Sequence, residues 1–250
     1  MDLHLEGKTG VVTGASAGIG RAIAKGLAAE GVRLLVVARR QELLAGLADE
    51  IEGEGGPRPR ILALDIMEPA APATIARQAL ADLGPAGILV NCAGGSRPLP
   101  IDAPEERWEE AMTLNFTRVR QLTHALLPGM IDQGWGRIVN ITGKSEPEDL
   151  NAAFAAKAGV HAWAKGLSRE VGRFGITVNC IPPGRIMSEQ IERNYPEAYR
   201  QEHAAREIPV GRYGEPEELA CLAVFLASPL ACYITGAVLP VDGGLRRYSF

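Results

Sequence analysis

Runs that are apolar at consecutive positions constrain this chain more than any other feature. Val11-Val12, Leu34-Leu35-Val36-Val37, Ile88-Leu89-Val90 and Ile138-Val139 put apolar side chains on both faces of a strand. Strands of that kind are buried on both sides, the condition of a parallel sheet covered by helices. The stretches between them have helical spacing. In Gly18 to Glu30, for example, Ile19, Ile23 and Leu27 recur every fourth residue. The expected order is strand Thr9–Thr13, helix Gly18–Glu30, strand Arg33–Ala38, helix Gln41–Glu52, a Gly/Pro-rich loop, strand Arg60–Leu64, helix Pro72–Leu83 and strand Gly87–Asn91. A long helical region Pro104–Gln133, bent at Pro128, precedes strand Arg137–Thr142, helix Ala152–Phe174 and strand Thr177–Ile181. Helix Pro216–Ala227 and a last strand Val238–Val241 close the series.

At 250 residues, with no internal repeat and no long linker, residues 1–250 are expected to form one domain with a large core. A net charge of −4 argues against a nucleic-acid surface, which needs a basic patch. No apolar run approaches the roughly 20 residues of a membrane span, and the first residues lack a signal-peptide layout, so the expectation is a cytoplasmic protein. Cys92, Cys180, Cys221 and Cys232 show no metal-ligand spacing and are expected to be small buried hydrophobes; the four scattered histidines imply no metal site either.

Thr13-Gly14-Ala15-Ser16-Ala17-Gly18-Ile19-Gly20 joins the first strand to the first helix. Glycines there let the backbone turn sharply and approach a pyrophosphate, which the helix N-terminus then meets with unpaired N–H groups. A glycine pattern alone is weak, but strand before and helix after make it a nucleotide-binding signature on a Rossmann-type, doubly wound parallel sheet. Gly14, Ser16, Ala17, Gly18, Ile19 and Gly20 are its candidate contacts.

The Gly-x3-Gly-x-Gly spacing is similar to that of the short-chain dehydrogenase/reductase family, and the resemblance runs essentially the whole length. Asn91-Cys92-Ala93-Gly94 resembles the family's Asn-Asn-Ala-Gly motif, which implies that Asn91, Ala93 and Gly94 lie beside the adenosine and steady the sheet. Asp65, with Ile66 after it, matches the adenine-contacting Asp, and Asn115 the proton-relay Asn. Pro183-Gly184-Arg185-Ile186-Met187-Ser188 resembles the segment that closes over the nicotinamide. There Ile186 is implied to bond the carboxamide through its backbone, and Ser188 stands where Thr is usual. Tyr233-Ile234-Thr235-Gly236 and Val241-Asp242-Gly243-Gly244 resemble the C-terminal signature.

An acidic residue ending the second strand would select NAD. Here Ala38 is followed by Arg39 and Arg40, which fits the 2′-phosphate of NADP(H), so NADP(H) is expected over NAD(H). Two solvated arginines are the bland alternative.

In the family a Tyr supplies the proton for carbonyl reduction, a Lys one helical turn later lowers its pKa and holds the ribose, and a Ser after the fifth strand orients the carbonyl. Lys157 matches the Lys. Four residues before it stands Ala153, which carries no proton, and Gly143 takes the Ser position. A slipped register would bring Thr142 or Ser145 into the pocket instead. Lys144-Ser145-Glu146-Pro147-Glu148-Asp149-Leu150-Asn151 is dense in ionisable groups that could replace the acid, or is an exposed charged loop. Residues 187–212 read as a lid or a solvated helix; Tyr195 and Tyr199 are further candidates to reach in, or packing residues. His161 is expected in the core or at a subunit interface. The resemblance implies an NADP(H)-dependent oxidoreductase acting on a small-molecule substrate, an activated carbonyl, enone or imine, as a homo-oligomer (tetramer or dimer). The alternative is a catalytically silent NADP(H)-binding sensor or partner subunit.

Overall fold

Six parallel strands form one sheet in the computed structural model, which describes residues 1–143, 147 and 149–248. They are β1 Thr9–Thr13, β2 Arg33–Ala38, β3 Arg60–Ala63, β4 Ile88–Asn91, β5 Gly136–Ile141 and β6 Ile176–Ile181. The order β3-β2-β1-β4-β5-β6 sends the chain outward from β1 in one direction, then back to β4 and outward in the other. Loops leaving the carboxyl ends of β1 and β4 therefore part company, and that crevice is where such sheets bind ligands.

The apolar runs divide between the faces as period 2 requires. Val12, Leu34 and Val36 join one core with Ile23 and Leu27 of α1 (Gly18–Ala29), Leu44 and Leu47 of α2 (Gln41–Gly53), and Leu219 and Val224 of α9 (Pro216–Leu226). Val11, Leu35 and Val37 join the other with Ile75 of α3 (Ala71–Leu83), Leu122 and Met130 of α5 (Arg118–Gln133), and Val160 of α6 (Ala152–Val171). Each such side chain contributes about 1.5–3 kcal/mol, an upper figure because denatured chains already bury some apolar surface. Along the crevice side lie α4 (Glu105–Met112) and, after β6, α7 (Glu189–Asn194) and α8 (Glu197–Glu207).

Three expectations change. The region Pro104–Gln133 is α4 and α5 joined by a π-helical turn, Thr113–Thr117; Pro128 lies inside α5 without ending it. The last strand is reduced to isolated parallel bridges, Cys180 with Val238 and Pro183 with Val241. Pro182, Pro183 and Pro240 bring no N–H to a ladder there. Cys221 and Cys232 are exposed, whereas Cys180 is buried. Among the described residues no group of three His, Cys, Asp or Glu could hold a metal, and no helix is long and apolar enough to cross a membrane.

Candidate functional site

The turn after β1 is built for close backbone approach. Gly14 has φ +70, and a Cβ there would come within 2.9 Å of the Ala93 nitrogen. A Cβ on Gly20 would overlap the Gly14 carbonyl oxygen, so the first turn of α1 presses onto the loop. Thr13 ties the ends of β1 and β4 together: its Oγ1 donates to Val90 O (3.3 Å) and accepts from the Cys92 and Ala93 amides (both 3.1 Å). The N-cap of α1 is Ala17, with no side-chain cap bond, so no side chain competes for the orphan N–H groups of the helix start.

At the end of β2, Arg39 is largely exposed and lies 3.9 Å from Asp65. Asp65 accepts from the Met67 amide (2.9 Å), which fixes the turn through Ile66. Arg40 is already engaged: Nη1 meets Glu189 Oε2 at 2.8 Å and Nη2 reaches Ser16 Oγ at 3.4 Å. It thereby links the turn to the start of α7. Asn91 points into the sheet, donating to Thr123 Oγ1 (3.1 Å) and Asn140 Oδ1 (2.9 Å).

Opposite the turn, Gly184 is bonded to Val241 O (2.9 Å), and a Cβ on it would stand 2.5 Å from Asp242 Cα. The bridge between Ile186 and Gly214 uses Arg185 O and the Met187 amide, so the Ile186 peptide groups face away from Gly214. Ser188 caps α7, accepting from the Ile191 amide, and its Cβ faces Gly18.

The centre lies between the β4 loop, the end of β5 and α6. Asn115 is buried in the π turn; its Nδ2 donates to Ala111 O (3.0 Å) and its Oδ1 accepts from the Gly95 amide (3.1 Å). Gly94 packs close, since a Cβ on it would stand 2.9 Å from that Oδ1 and 3.6 Å from Lys157 Nζ. Lys157 donates to Thr142 O at 3.0 Å. Burial lowers its pKa, with Cys92 a weaker opposing influence. Burial in turn pushes the Cys92 thiol up to about 12, so it stays neutral.

β5 pairs with β4 with Asn91 opposite Asn140, and Thr142 follows β5 directly, donating its amide to Ile181 O. The Thr142 hydroxyl is buried and meets His161 Nε2 at 2.7 Å. His161 thus belongs to the centre, a role the sequence reading missed. The only signal was its position four residues beyond Lys157. Its pKa is lowered first by burial, then by the charges of Arg246 and Lys157. A Cβ on Gly143 would stand 3.1 Å from Lys157 Cδ. Ala153 is buried in the first turn of α6, where Asn151 caps the helix by accepting from the Ala153 amide (3.0 Å). Ser145, with Lys144, Glu146 and Glu148 of the ionisable segment, lies outside the described residues.

A cleft of about 420 Å³ opens at Pro183 and Gly184, between α8 and the C-terminal segment. Tyr199 lines it, stacked on Tyr195 with ring centroids 5.3 Å apart. α8 is not merely solvated: His203 and Ala204 are buried, and Ala204 packs with Ile208, Tyr213 and Leu245.

The chain matches the protein-family model for enoyl-(acyl carrier protein) reductase over residues 14–246. It is 36% identical over 248 residues to 3-oxoacyl-[acyl-carrier-protein] reductase of Vibrio cholerae, covering 97% of this chain and 99% of that protein. It is also 36% identical to D-beta-hydroxybutyrate dehydrogenase of Cupriavidus necator, covering 96% and 98%. Among solved structures, L-sorbose reductase from Gluconobacter frateurii complexed with NADPH and L-sorbose superposes with a TM-score of 0.93 at 32% identity, covering 99% of this chain and 100% of that one. A 7α-hydroxysteroid dehydrogenase complexed with NADH superposes at 0.92 with 31% identity, covering 97% and 96%. The family match over residues 14–246 and these full-length likenesses together establish that the chain belongs to the short-chain dehydrogenase/reductase family of oxidoreductases.

Proposed function

We propose that this protein is an NADP(H)-dependent reductase in which the Lys157 ammonium, rather than a group at residue 153, delivers the proton. The observation that carries it is Lys157 itself: a cation depressed by burial, anchored on Thr142 O, beside Gly94 and Asn115.

The residues present fit the dinucleotide. Gly14, Ser16, Gly18, Ile19 and Gly20, with the uncapped start of α1 at Ala17, would hold the pyrophosphate. Exposed Arg39 is placed for the 2′-phosphate; Arg40 positions Ser16 and α7. Asp65, Ile66, Ala93 and Gly94 would hold the adenosine, with Asn91 steadying the sheet, and Pro183, Gly184, Ile186 and Ser188 would hold the nicotinamide. Bound NADPH supplies a hydride. The α7–α8 segment within residues 187–212 covers the cleft as a lid, and the chain assembles as a homo-oligomer.

A general acid works best with a pKa near the working pH, and desolvation moves a lysine in that direction. Lys157 loses its proton to the substrate oxygen and regains one from water. The Thr142 hydroxyl meets His161 Nε2, and its carbonyl is the anchor of Lys157. A weaker acid than a tyrosine–lysine pair favours activated carbonyls, enones and imines.

A second reading, a silent NADP(H)-binding protein, draws on the same two facts: residue 153 has no hydroxyl and that of Thr142 faces His161. The readings separate when the protein is mixed with NADPH or NADH and ketones, enones or imines. The reductase oxidises NADPH in step with substrate reduction and prefers it to NADH. Binding of NADPH with no oxidation in any class selects the silent protein.

A further inference from the structure

The turn that follows β3 is framed first by its own residues. The Glu68 amide donates to Asp65 O (3.1 Å) and the Met67 amide to Asp65 Oδ1 (2.9 Å). Just before it, the Leu64 amide donates to Ala38 O (2.9 Å), which ties the turn to the end of β2. There Arg39 lies 3.9 Å from the other carboxylate oxygen of Asp65. One more bond comes from far along the chain: Arg118 Nη2 donates to Met67 O at 2.7 Å, across 51 positions of sequence. Both backbone groups of Met67 are therefore engaged, its N–H by Asp65 and its C=O by Arg118.

Arg118 opens α5 and is only 9% exposed. Its other partner is the Gln121 side-chain oxygen (2.6 Å), while Nε is buried with no partner among the described residues. A buried guanidinium that meets two neutral acceptors and leaves a donor unpaired is a costly way to fill space; an apolar side chain packs there at lower cost. What the charge secures is a charge-assisted bond to one carbonyl, roughly twice as strong as a neutral one. Three residues earlier, Asn115 accepts from the Gly95 amide (3.1 Å) in the loop after β4. The entry to α5 thus holds two loops of the crevice, the one after β3 and the one after β4.

We propose that Arg118 is a positioning residue for the adenosine half of the cofactor. It fixes the Asp65–Glu68 turn through Met67 O, so that Asp65 and Ile66 need little further ordering when the adenosine binds. The proposal rests on the dinucleotide reading above, and Arg118 acts through the turn rather than on the cofactor.

The test pairs calorimetric titration of the full chain with adenosine 2′,5′-bisphosphate and backbone amide hydrogen exchange followed by NMR. Arg118→Met is expected to weaken binding roughly tenfold, the scale of one bond to a charged group. Exchange at the Met67 and Glu68 amides is expected to speed up, while amides of β1 and α6 keep wild-type protection. Arg118→Lys keeps the charge but cannot span Met67 O and Gln121 together, so it is expected to lose only a few-fold. If the methionine variant does not fold, the lysine variant decides: a few-fold loss supports the proposal and wild-type affinity overturns it. Faster exchange in the turn at wild-type affinity would leave Arg118 a purely structural role and overturn the proposal. So would unchanged exchange and affinity, or a loss of protection that spreads to β1 and α6. Failure of wild type to bind NADPH and the bisphosphate alike would instead sink the dinucleotide reading.

Discussion

Replacing Lys157 with methionine is expected to lower NADPH-dependent turnover by roughly 10²–10⁴-fold, the range a positioned general acid contributes. The fold should survive. An ammonium that burial disfavours is exchanged for an apolar chain of similar length, which removes its desolvation cost. Against it stands the Thr142 carbonyl, which loses its 3.0 Å donor at a cost of about 1 kcal/mol. Stability also acquires a different pH dependence. The folded-state pKa of Lys157 is lowered, so between that value and the ordinary ~10.4 the unfolded chain binds more protons. Wild-type stability therefore rises with pH through that window, and the methionine variant lacks the rise. Denaturant titrations at several alkaline pH values, run beside the turnover assay, check both halves. A variant that turns over like wild type would remove Lys157 from the proton path.

Gly20→Ala is expected to produce the largest structural effect of a single methyl group. Its Cβ would overlap the carbonyl oxygen of Gly14, a backbone atom with nowhere to swing. Either α1 lifts off the turn or the turn moves away from Ala93, which a Cβ on Gly14 would already approach within 2.9 Å. Overpacking of this kind costs about 1–3 kcal/mol, or roughly 2–12 °C of Tm in a chain of this size. The same shift spoils the aim of the α1 amides, so NADPH affinity should fall about tenfold or more. Thermal unfolding and NADPH titration measure the two losses separately. Loss of neither would show that the turn is looser than the packing of Gly14 and Gly20 implies.

The fold was legible because its information is local. Val11 and Val12, or Leu35 and Val36, announce two buried faces by adjacency alone, and the structure sends them to opposite cores. The glycine turn was legible for the same reason. What escaped depends on residues far apart in sequence. Thr142 and His161 are 19 positions apart, and nothing local says that one hydroxyl will meet one ring. The π turn around Asn115 has no periodic signature, since one extra residue per turn over five residues leaves the apolar pattern readable as helix. The final strand failed because a run such as Val238-Leu239-Pro240-Val241 looks like a strand until its partner, Ile181-Pro182-Pro183, is known to lack the donors a ladder needs.

The most direct test of a proton delivered by Lys157 is the pH dependence of single-turnover NADPH oxidation with an activated oxo substrate. The ammonium is the working form, so the rate is expected to fall as pH rises, with a midpoint below the ordinary lysine value of ~10.4. That midpoint should vanish in Lys157→Met, leaving a slow, flat background. A wild-type rate that is flat across the same range, or a midpoint that persists without Lys157, would contradict the account.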